Sequence, residues 1–212
     1  MIEEVERILA EADEKDRCIL RAAWEEFARS GYHNANMDHI AAAAGLGKGT
    51  VYRRFHNKQF LFFAVVRSGH RHLSKRMEQA GAKLPFRESL HAKLAVVTEH
   101  LEANVGAMRL MMHEQSKTIE NFSAAEVQEL SNSMWKEQYE FWRRTVEAAV
   151  QEGHLPAREE TELSMLALML AGMVRGCYIE FYFCREMAGL KKEMTDRWNN
   201  LLMKILFEGV FA

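Results

Sequence analysis

Apolar positions recur every three to four residues along most of the chain, and strand-like alternation persists nowhere. A helix can begin near Asp13 or Lys15. Leu20, Ala23 and Phe27 fall at i, i+3 and i+7 in it, and Gly31 can stop it as a C′ residue. Asn36 can cap a second helix, whose Met37, Ile40, Ala41 and Ala44 share a face. Gly45 closes that helix after barely two turns. A third short helix spans roughly Lys48 to Phe55, with Val51 and Phe55 inward and Gly49, Tyr52, Arg53 and His56 on another face. Asn57 can cap a fourth from Lys58, ended by Gly81 and Pro85.

Past residue 85 the period stays helical. Phe86 to about Gln115 reads as two helices or one bent one, with Gly106 as the candidate break. Ser123-Ala-Ala-Glu126 is a capping box, flanked by Phe122 and Val127 as a hydrophobic staple, and opens a helix that should run to Glu152 before Gly153. Glu160–Arg185 and Lys191 to about Glu208 complete an all-α chain of about nine helices. Glu160–Arg185 is apolar on more than one face, as a helix buried on all sides is.

Composition adds little to this picture, and charge distribution adds more. With 212 residues, 48% of them hydrophobic, the chain can bury a sizeable core. Its two prolines, Pro85 and Pro156, leave the helices uninterrupted. Three cysteines read as reduced thiols, and residues 1–16 lack the apolar run of a secretory leader, so a cytoplasmic location is expected. Leu163–Phe183 carries Arg175, Glu180 and glycines and reads as a buried helix, so no membrane role is expected. Net charge is −2, yet residues 15–76 hold twelve Lys or Arg against four acids, while residues 1–14 hold six acids and one base. A positive lobe on a near-neutral chain suits a phosphate-facing module, or else a charge-rich solvated surface.

The stretch Met37 to Phe55 joins two short helices by a turn containing Gly45. The first has a small-residue face across which the second can pack, and the second projects polar and aromatic groups outward. That is the requirement of a helix-turn-helix, a supported helix whose side chains reach base edges in the major groove. The run Tyr32…Met37-Asp38…Ile40-Ala41…Ala44-Gly45-Leu46…Lys48-Gly49-Thr50-Val51-Tyr52…Phe55…Asn57-Lys58, with Ile19-Leu20-Arg21-Ala22-Ala23…Phe27 before it, resembles the DNA-binding domain of the TetR family of bacterial regulators. The likeness covers about residues 17–65; the remainder agrees in length and helix order only.

The resemblance implies a three-helix DNA-binding domain at 1–60, with 1–14 as an extension, and an effector-binding and dimerisation domain at 61–212. It puts Lys48, Gly49, Thr50, Tyr52 and Arg53 on the recognition helix, with Arg53 facing either guanine or phosphate. Lys58 is expected to meet a phosphate at a helix N-terminus, with Asn36, Arg54 and His56 as further phosphate candidates. Ala35 and Gly47 depart from the family's usual Thr and Ser.

Met108, Met112, His113, Trp135, Tyr139, Trp142, Met169, Met173 and Tyr178 are candidates for lining an apolar effector cavity, or are simply core. His113, Arg175 and Glu180 either orient a ligand or serve an internal network or dimer edge. The resemblance implies a dimer bundle from the last two helices, with Leu163, Leu170, Val174, Phe181, Trp198, Leu201 and Ile205 as interface candidates and Gly172 and Gly176 permitting close approach. The implied protein is a regulator, a repressor in the family's usual mode, that binds a palindromic operator as a homodimer and is released by a small, mainly apolar effector. No cofactor or metal is implied. No phosphate-binding glycine loop, metal-type Cys/His spacing or His-Glu-x-x-His is present to support an enzyme. A helical dimeric adaptor without a DNA role is the competing reading, distinguished by the basic lobe and the Lys48–Lys58 pattern.

Overall fold

The computed structural model describes the backbone of residues 1–118, 123–184, 195–205 and 207–208, and the side chains of 1–100, 102–103, 123–176, 197, 199–205 and 207–208. Every regular element among the described residues is helical: α1 (Ile2–Ala10), α2 (Glu14–Asn34), α3 (Met37–Ala43), α4 (Lys48–Phe55), α5 (Lys58–Gly81), α6 (Phe86–Thr118), α7 (Ala124–Gln151), α8 (Glu160–Cys184) and α9 (Thr195–Ile205). Two compact units result, Met1–His72 with Asn104–Met134, and Leu73–Ala103 with Trp135–Ala212.

The first unit grows around the apolar stripes read from the sequence. Ile19, Ala23 and Phe27 of α2, Ile40 and Ala41 of α3, Val51 and Phe55 of α4 and Leu61 of α5 are at most 2% exposed and share one core. Phe62 stands edge-on to Phe27 at 5.3 Å and to Tyr32 at 5.1 Å. Asp13 starts α2 through a reciprocal capping box: its carboxylate accepts from the Asp16 N–H at 2.9 Å, and that of Asp16 accepts from the Asp13 N–H at 3.1 Å. The expected stop at Gly31 is a kink, with φ 71° and ψ 170°, after which one more turn reaches Asn34. Gly45, at φ 68°, makes the turn between α3 and α4. The Leu46 N–H donates to the Ala41 carbonyl at 3.0 Å and the Gly45 N–H to Ala42 at 3.0 Å. A side chain at Gly45 would be strained by that backbone whatever the space around it.

The extension 1–14 was not read as helical, yet α1 occupies most of it. Ile2 and Val5 join the core, and the outer face is acidic. Glu6 pairs with the buried Arg67 and, at 3.3 Å, with Arg71; Glu4 lies 3.0 Å from His56 Nε2. These contacts hold α1 against α5 and the end of α4.

In the second unit Leu90 and Leu94 of α6 are fully buried, and Phe86 packs against His154 and Phe207 at 5.1 and 6.0 Å. Glu152 accepts from the Phe86 N–H at 2.8 Å, satisfying a donor at the start of α6. A buried hydrogen bond of 3.0 Å joins Thr98 of α6 to Asn199 of α9. Arg143 of α7 bonds the Glu160 carboxylate at 2.6 Å and the Ser164 hydroxyl at 3.0 Å, fixing α7 to the first turn of α8. The residues from Phe86 to Thr118 form one continuous helical run, without the break considered at Gly106. Ser123 and Glu126 form the expected box before α7, with the Glu126 N–H donating to Ser123 Oγ at 3.2 Å and the Ser123 N–H to Glu126 at 3.0 Å. Phe122 of the staple lies outside the described residues. Gly153, at φ 77°, ends α7.

The caps and the clamp on α4 make three outcomes testable. Arg54 donates to Asp13 at 2.8 Å and to Asp16 at 2.6 Å, so R54Q should lower stability by about 2 kcal/mol in urea melts. The Asp16 N–H bond, then Arg54, hold the Asp13 carboxyl down from 3.8 to about 2. A lowered folded pKa contributes stability that is complete above pH 3.8 and disappears as pH falls through about 2. The stability gap between wild type and D13N should therefore be flat at neutral pH and close across that acid window. Gly47 caps α4 with φ −68° and ψ 144°, no side-chain bond and open space around its Cβ position. G47S should supply the missing acceptor and restrict the unfolded chain, raising stability by about 0.5–1 kcal/mol.

Candidate nucleic-acid interface and sensor cleft

A helix of eight residues is too short to persist alone, so α4 exists because Val51 and Phe55, both 0% exposed, anchor it on α2 and α3. Anchoring one face dictates the other. Gly49, Tyr52 and Arg53 are exposed, Tyr52 by 45%, and Thr50 is half-buried. Tyr52 and Arg53 make no hydrogen bond or ion pair with the described residues, so both polar ends are available to a partner. Lys48 is exposed and paired with Asp38 across the turn, a carboxylate with which a phosphate would have to compete.

The other expected contacts are arranged differently. Lys58 was expected to meet phosphate, but its ammonium donates to the His33 and Ala35 carbonyls at 2.9 and 3.2 Å and sits 4.9 Å from the Tyr32 ring centre. Those carbonyls belong to the end of α2, where no following turn satisfies them, so the lysine closes that end. Arg54 is likewise drawn from the outer face by Asp13 and Asp16. His56 is exposed but held by Glu4, in a backbone at φ 48° that a histidine adopts only where its surroundings impose it. Asn36 is exposed and caps α3, accepting from the Asp38 N–H at 2.8 Å.

Beneath Asn36 lies a residue that the sequence reading passed over. Glu26 is 5% exposed and accepts from the Asn36 N–H at 3.2 Å, with Arg29 bonded and His39 at 3.5 Å. Burial alone would raise its pKa. The Arg29 hydrogen bond, the Asn36 N–H and the neighbouring positive charges outweigh burial and lower it. A carboxylate thereby fixes the start of α3 from α2. The signal in the sequence, an acid between Ala23 and Phe27 on the core side of an amphipathic helix, was visible but had no partner to read it against.

The effector candidates from Trp135 onward and all the interface candidates fall in the second unit. Trp142 is 4% exposed and edge-on to Phe141 at 5.1 Å, which makes it core. Tyr139 and Met173 are half-buried, and Trp135 is 38% exposed beneath the Arg175 guanidinium at 4.1 Å. Met169 is 70% exposed and lines no enclosed space. The side chains of Met108, Met112, His113 and Tyr178 lie outside the described residues, as do those of Phe181 and Trp198.

Of the interface candidates on α8, two are not on the surface of the single chain. Leu170 and Val174 are 5% and 4% exposed and pack within their own chain, and Leu163 is half-buried. The outward apolar face is Met165, Leu168 and Met169, continued at helical spacing by Gly172 and Gly176, where nothing lies within 4 Å of an added Cβ. On α9, Leu201 and Ile205 are about half exposed, as the interface reading requires.

A cleft of about 200 Å³ in the second unit is walled by Glu78, Gly81, Lys93, Phe141, Arg144 and Thr145. Apart from Gly81, which the sequence marks as the end of α5, none of these stands out from the sequence. Lys93 sits three residues past the fully buried Leu90, a charge one step from the core stripe, and that was its only mark.

Residues 19–65 match the family model described as bacterial regulatory proteins, tetR family. The chain is 27% identical over 193 residues to the HTH-type transcriptional regulator AcrR of Shigella flexneri, spanning 88% of this chain and 86% of that one. It is 27% identical over 161 residues to the HTH-type transcriptional regulator YhgD of Bacillus subtilis strain 168, spanning 74% and 82%. Its fold matches the transcriptional regulator FadR from Bacillus subtilis in complex with stearoyl-CoA, with a TM-score of 0.65 at 19% identity over 88% of this chain and 97% of that one. The platformed helix pair and the match across it agree: residues 19–65 form a DNA-binding domain of the kind found in bacterial regulatory proteins of the tetR family, and the remaining helices share the fold of such regulators.

Proposed function

We propose that this DNA-binding transcription regulator acts as a cytoplasmic homodimeric repressor that reads a roughly palindromic operator and is released by a small, mainly apolar effector. The observation that carries the reading is the outward face of α4. Its Tyr52 and Arg53 are exposed and unengaged on a helix whose opposite face is wholly buried. In this reading residues 1–60 bind DNA and 61–212 sense and dimerise. Arg53 reads a base edge or pairs with phosphate, Tyr52 lies on the backbone or a thymine methyl, and Gly49 allows close approach. Lys48 and Thr50 are phosphate partners at the start of the helix, Lys48 after releasing Asp38. Asn36 and His56 flank the contact, and Lys58 supports it from the α2 end. The match of residues 19–65 to the family model and the likeness to transcriptional regulators support a regulator and not an enzyme.

Dimerisation is assigned to the outward faces of α8 and α9. Met165, Leu168 and Met169 are each more than half exposed, Leu201 and Ile205 nearly so or more, and the glycines between them leave room for a partner helix. The stearoyl-CoA bound by the Bacillus subtilis FadR supports an effector of largely apolar character, to which the Met- and aromatic-rich helices are suited. An effector acts by binding one DNA-competent state more tightly than the other.

Anisotropy titrations against genomic fragments test the DNA reading. R53Q should cost about 1–3 kcal/mol of operator affinity with no change in melting temperature. K58Q should show the reverse emphasis, a stability loss of about 1–2 kcal/mol with the slope of log affinity against log salt little altered. Binding that ignores salt and sequence would leave only a helical adaptor. Sedimentation tests the pairing: M169E should shift the particle to a single chain, while L201E should do so only if α9 shares the interface.

A further inference from the structure

The cleft of the second unit has a charge arrangement that the folded chain does not itself complete. Glu78 of α5 is bonded to Arg144 of α7 at 2.6 Å. Lys93 of α6 forms no ion pair with a carboxylate among the described residues. Its half-buried ammonium faces the Phe141 ring at 5.2 Å and makes no hydrogen bond or ion pair with the described residues. The cleft thus holds two cations and one acid, an excess of one positive charge beside an aromatic wall. Burial, and then the charge of Arg144, press the Lys93 pKa down, with Glu78 opposing. An ammonium in that position gains from any anion that enters.

The lysine stem passes close to the end of α5. A Cβ on Gly81 would come within 2.4 Å of Ser89 Oγ and 2.6 Å of Lys93 Cε, so the bare glycine leaves the stem its path and a side chain there would make it shift. The volume, about 200 Å³, accommodates a head group and a short apolar portion rather than a whole drug-sized molecule.

We propose that this cleft receives the anionic group of the effector, a carboxylate or a phosphate, between Lys93 and Arg144 with Phe141 as the apolar wall. The proposal rests on the effector-responsive reading above and supplies it with a polar recognition point. Phosphate and carboxylate share the chemistry used here, anionic oxygens accepting charge-assisted hydrogen bonds.

Calorimetric titration of the full chain with benzoate, phenyl phosphate and neutral benzamide tests it. At least one anion should bind at least about tenfold more tightly than benzamide, and the preferred one tells carboxylate from phosphate. K93Q and R144Q should each weaken that anion by about tenfold or more, K93R should retain it, and E78Q should strengthen it by freeing Arg144. G81A should weaken it by displacing the Lys93 stem, and the exposed Lys136→Gln should leave it unchanged. Melting temperatures identify any variant that fails to fold, and K93R against K93Q then decides on charge alone. Equal affinity for benzamide, no anion binding, or an unaltered K93Q overturns the site. Operator affinity is measured in the same samples. Anion binding that leaves it unaltered upholds the site and overturns its role as effector receptor. A chain that binds the anion but no DNA sinks the regulator reading while the site stands.

Discussion

The recognition helix is held from one side only. Eight residues carry too few hydrogen bonds to offset the entropy of ordering them, and Gly47 and Gly49 make the helix weaker still. What fixes α4 is the burial of Val51 and Phe55 in a core shared with Ile19, Phe27, Ile40 and Leu61. Everything outward-facing follows from that choice of inner face. Because two turns offer only about two anchoring positions, polar clamps do the remainder. Arg54 ties the last turn of α4 to the capping box of α2, and Glu26 ties the start of α3 to the middle of α2. Both clamps use a charge as a spacer between helices, which fixes geometry where apolar contact alone would allow sliding.

The parts of this architecture that were legible in the sequence are those decided locally. Asp13, Asn36, Ser123 with Glu126, Gly45 and Gly153 mark helix ends through interactions within a few residues, and each appears where it was expected. The inner and outer faces of α4 were legible for the same reason, since a strict i, i+4 pair selects one face. The unread parts required knowledge of what lies opposite. Residues 1–14 showed six acids and were set aside as an extension. Ile2 and Val5 reach the core from the other face of that segment, and Arg67, Arg71 and His56 opposite the acids complete α1 as a docked helix. Lys58 follows the same logic. A lysine at a helix N-terminus beside a basic motif has the sequence appearance of a phosphate contact, and the α2 carbonyls that it caps lie more than twenty residues away.

α8 shows the limit most sharply. A helix apolar around its whole circumference has no pattern from which to choose an outward face, so Leu163, Leu170 and Val174 were as good an interface as Met165, Leu168 and Met169. The packing inside the chain breaks the tie. The β-branched Val174 and the compact Ala167 and Ala171 are buried with Leu170, while the flexible methionines and the glycines face out. Unbranched thioethers adapt to an irregular surface and glycines admit a close backbone, so the outer face has the composition of a surface awaiting a second helix. The cleft at Lys93 escaped notice for the opposite reason: its residues come from α5, α6 and α7 and have no shared spacing at all.

The same long-range pairing alters what the basic lobe means. Twelve Lys or Arg between residues 15 and 76 describe a field only if they are unopposed, and most are not. Arg17, Arg29, Lys48, Arg54, Arg67 and Arg71 each meet a carboxylate, Lys58 meets carbonyls, and Arg67 and Arg71 share one carboxylate, Glu6, from the acidic helix α1. A phosphate near the paired groups must exchange one anion for another, which yields little net energy in water. A phosphate or guanine near Arg53 exchanges only solvent. The internal ion pairs therefore offset much of the positive charge of the first unit, while Arg53 stays open to solvent on the outer face of α4. The acids of α1 act in the same way, lowering nonspecific attraction without touching the residues that read sequence. In the proposed reading, weak flanks and an open centre would concentrate the salt-independent part of DNA affinity on α4, so that a change in the placement of that helix would be felt directly in binding.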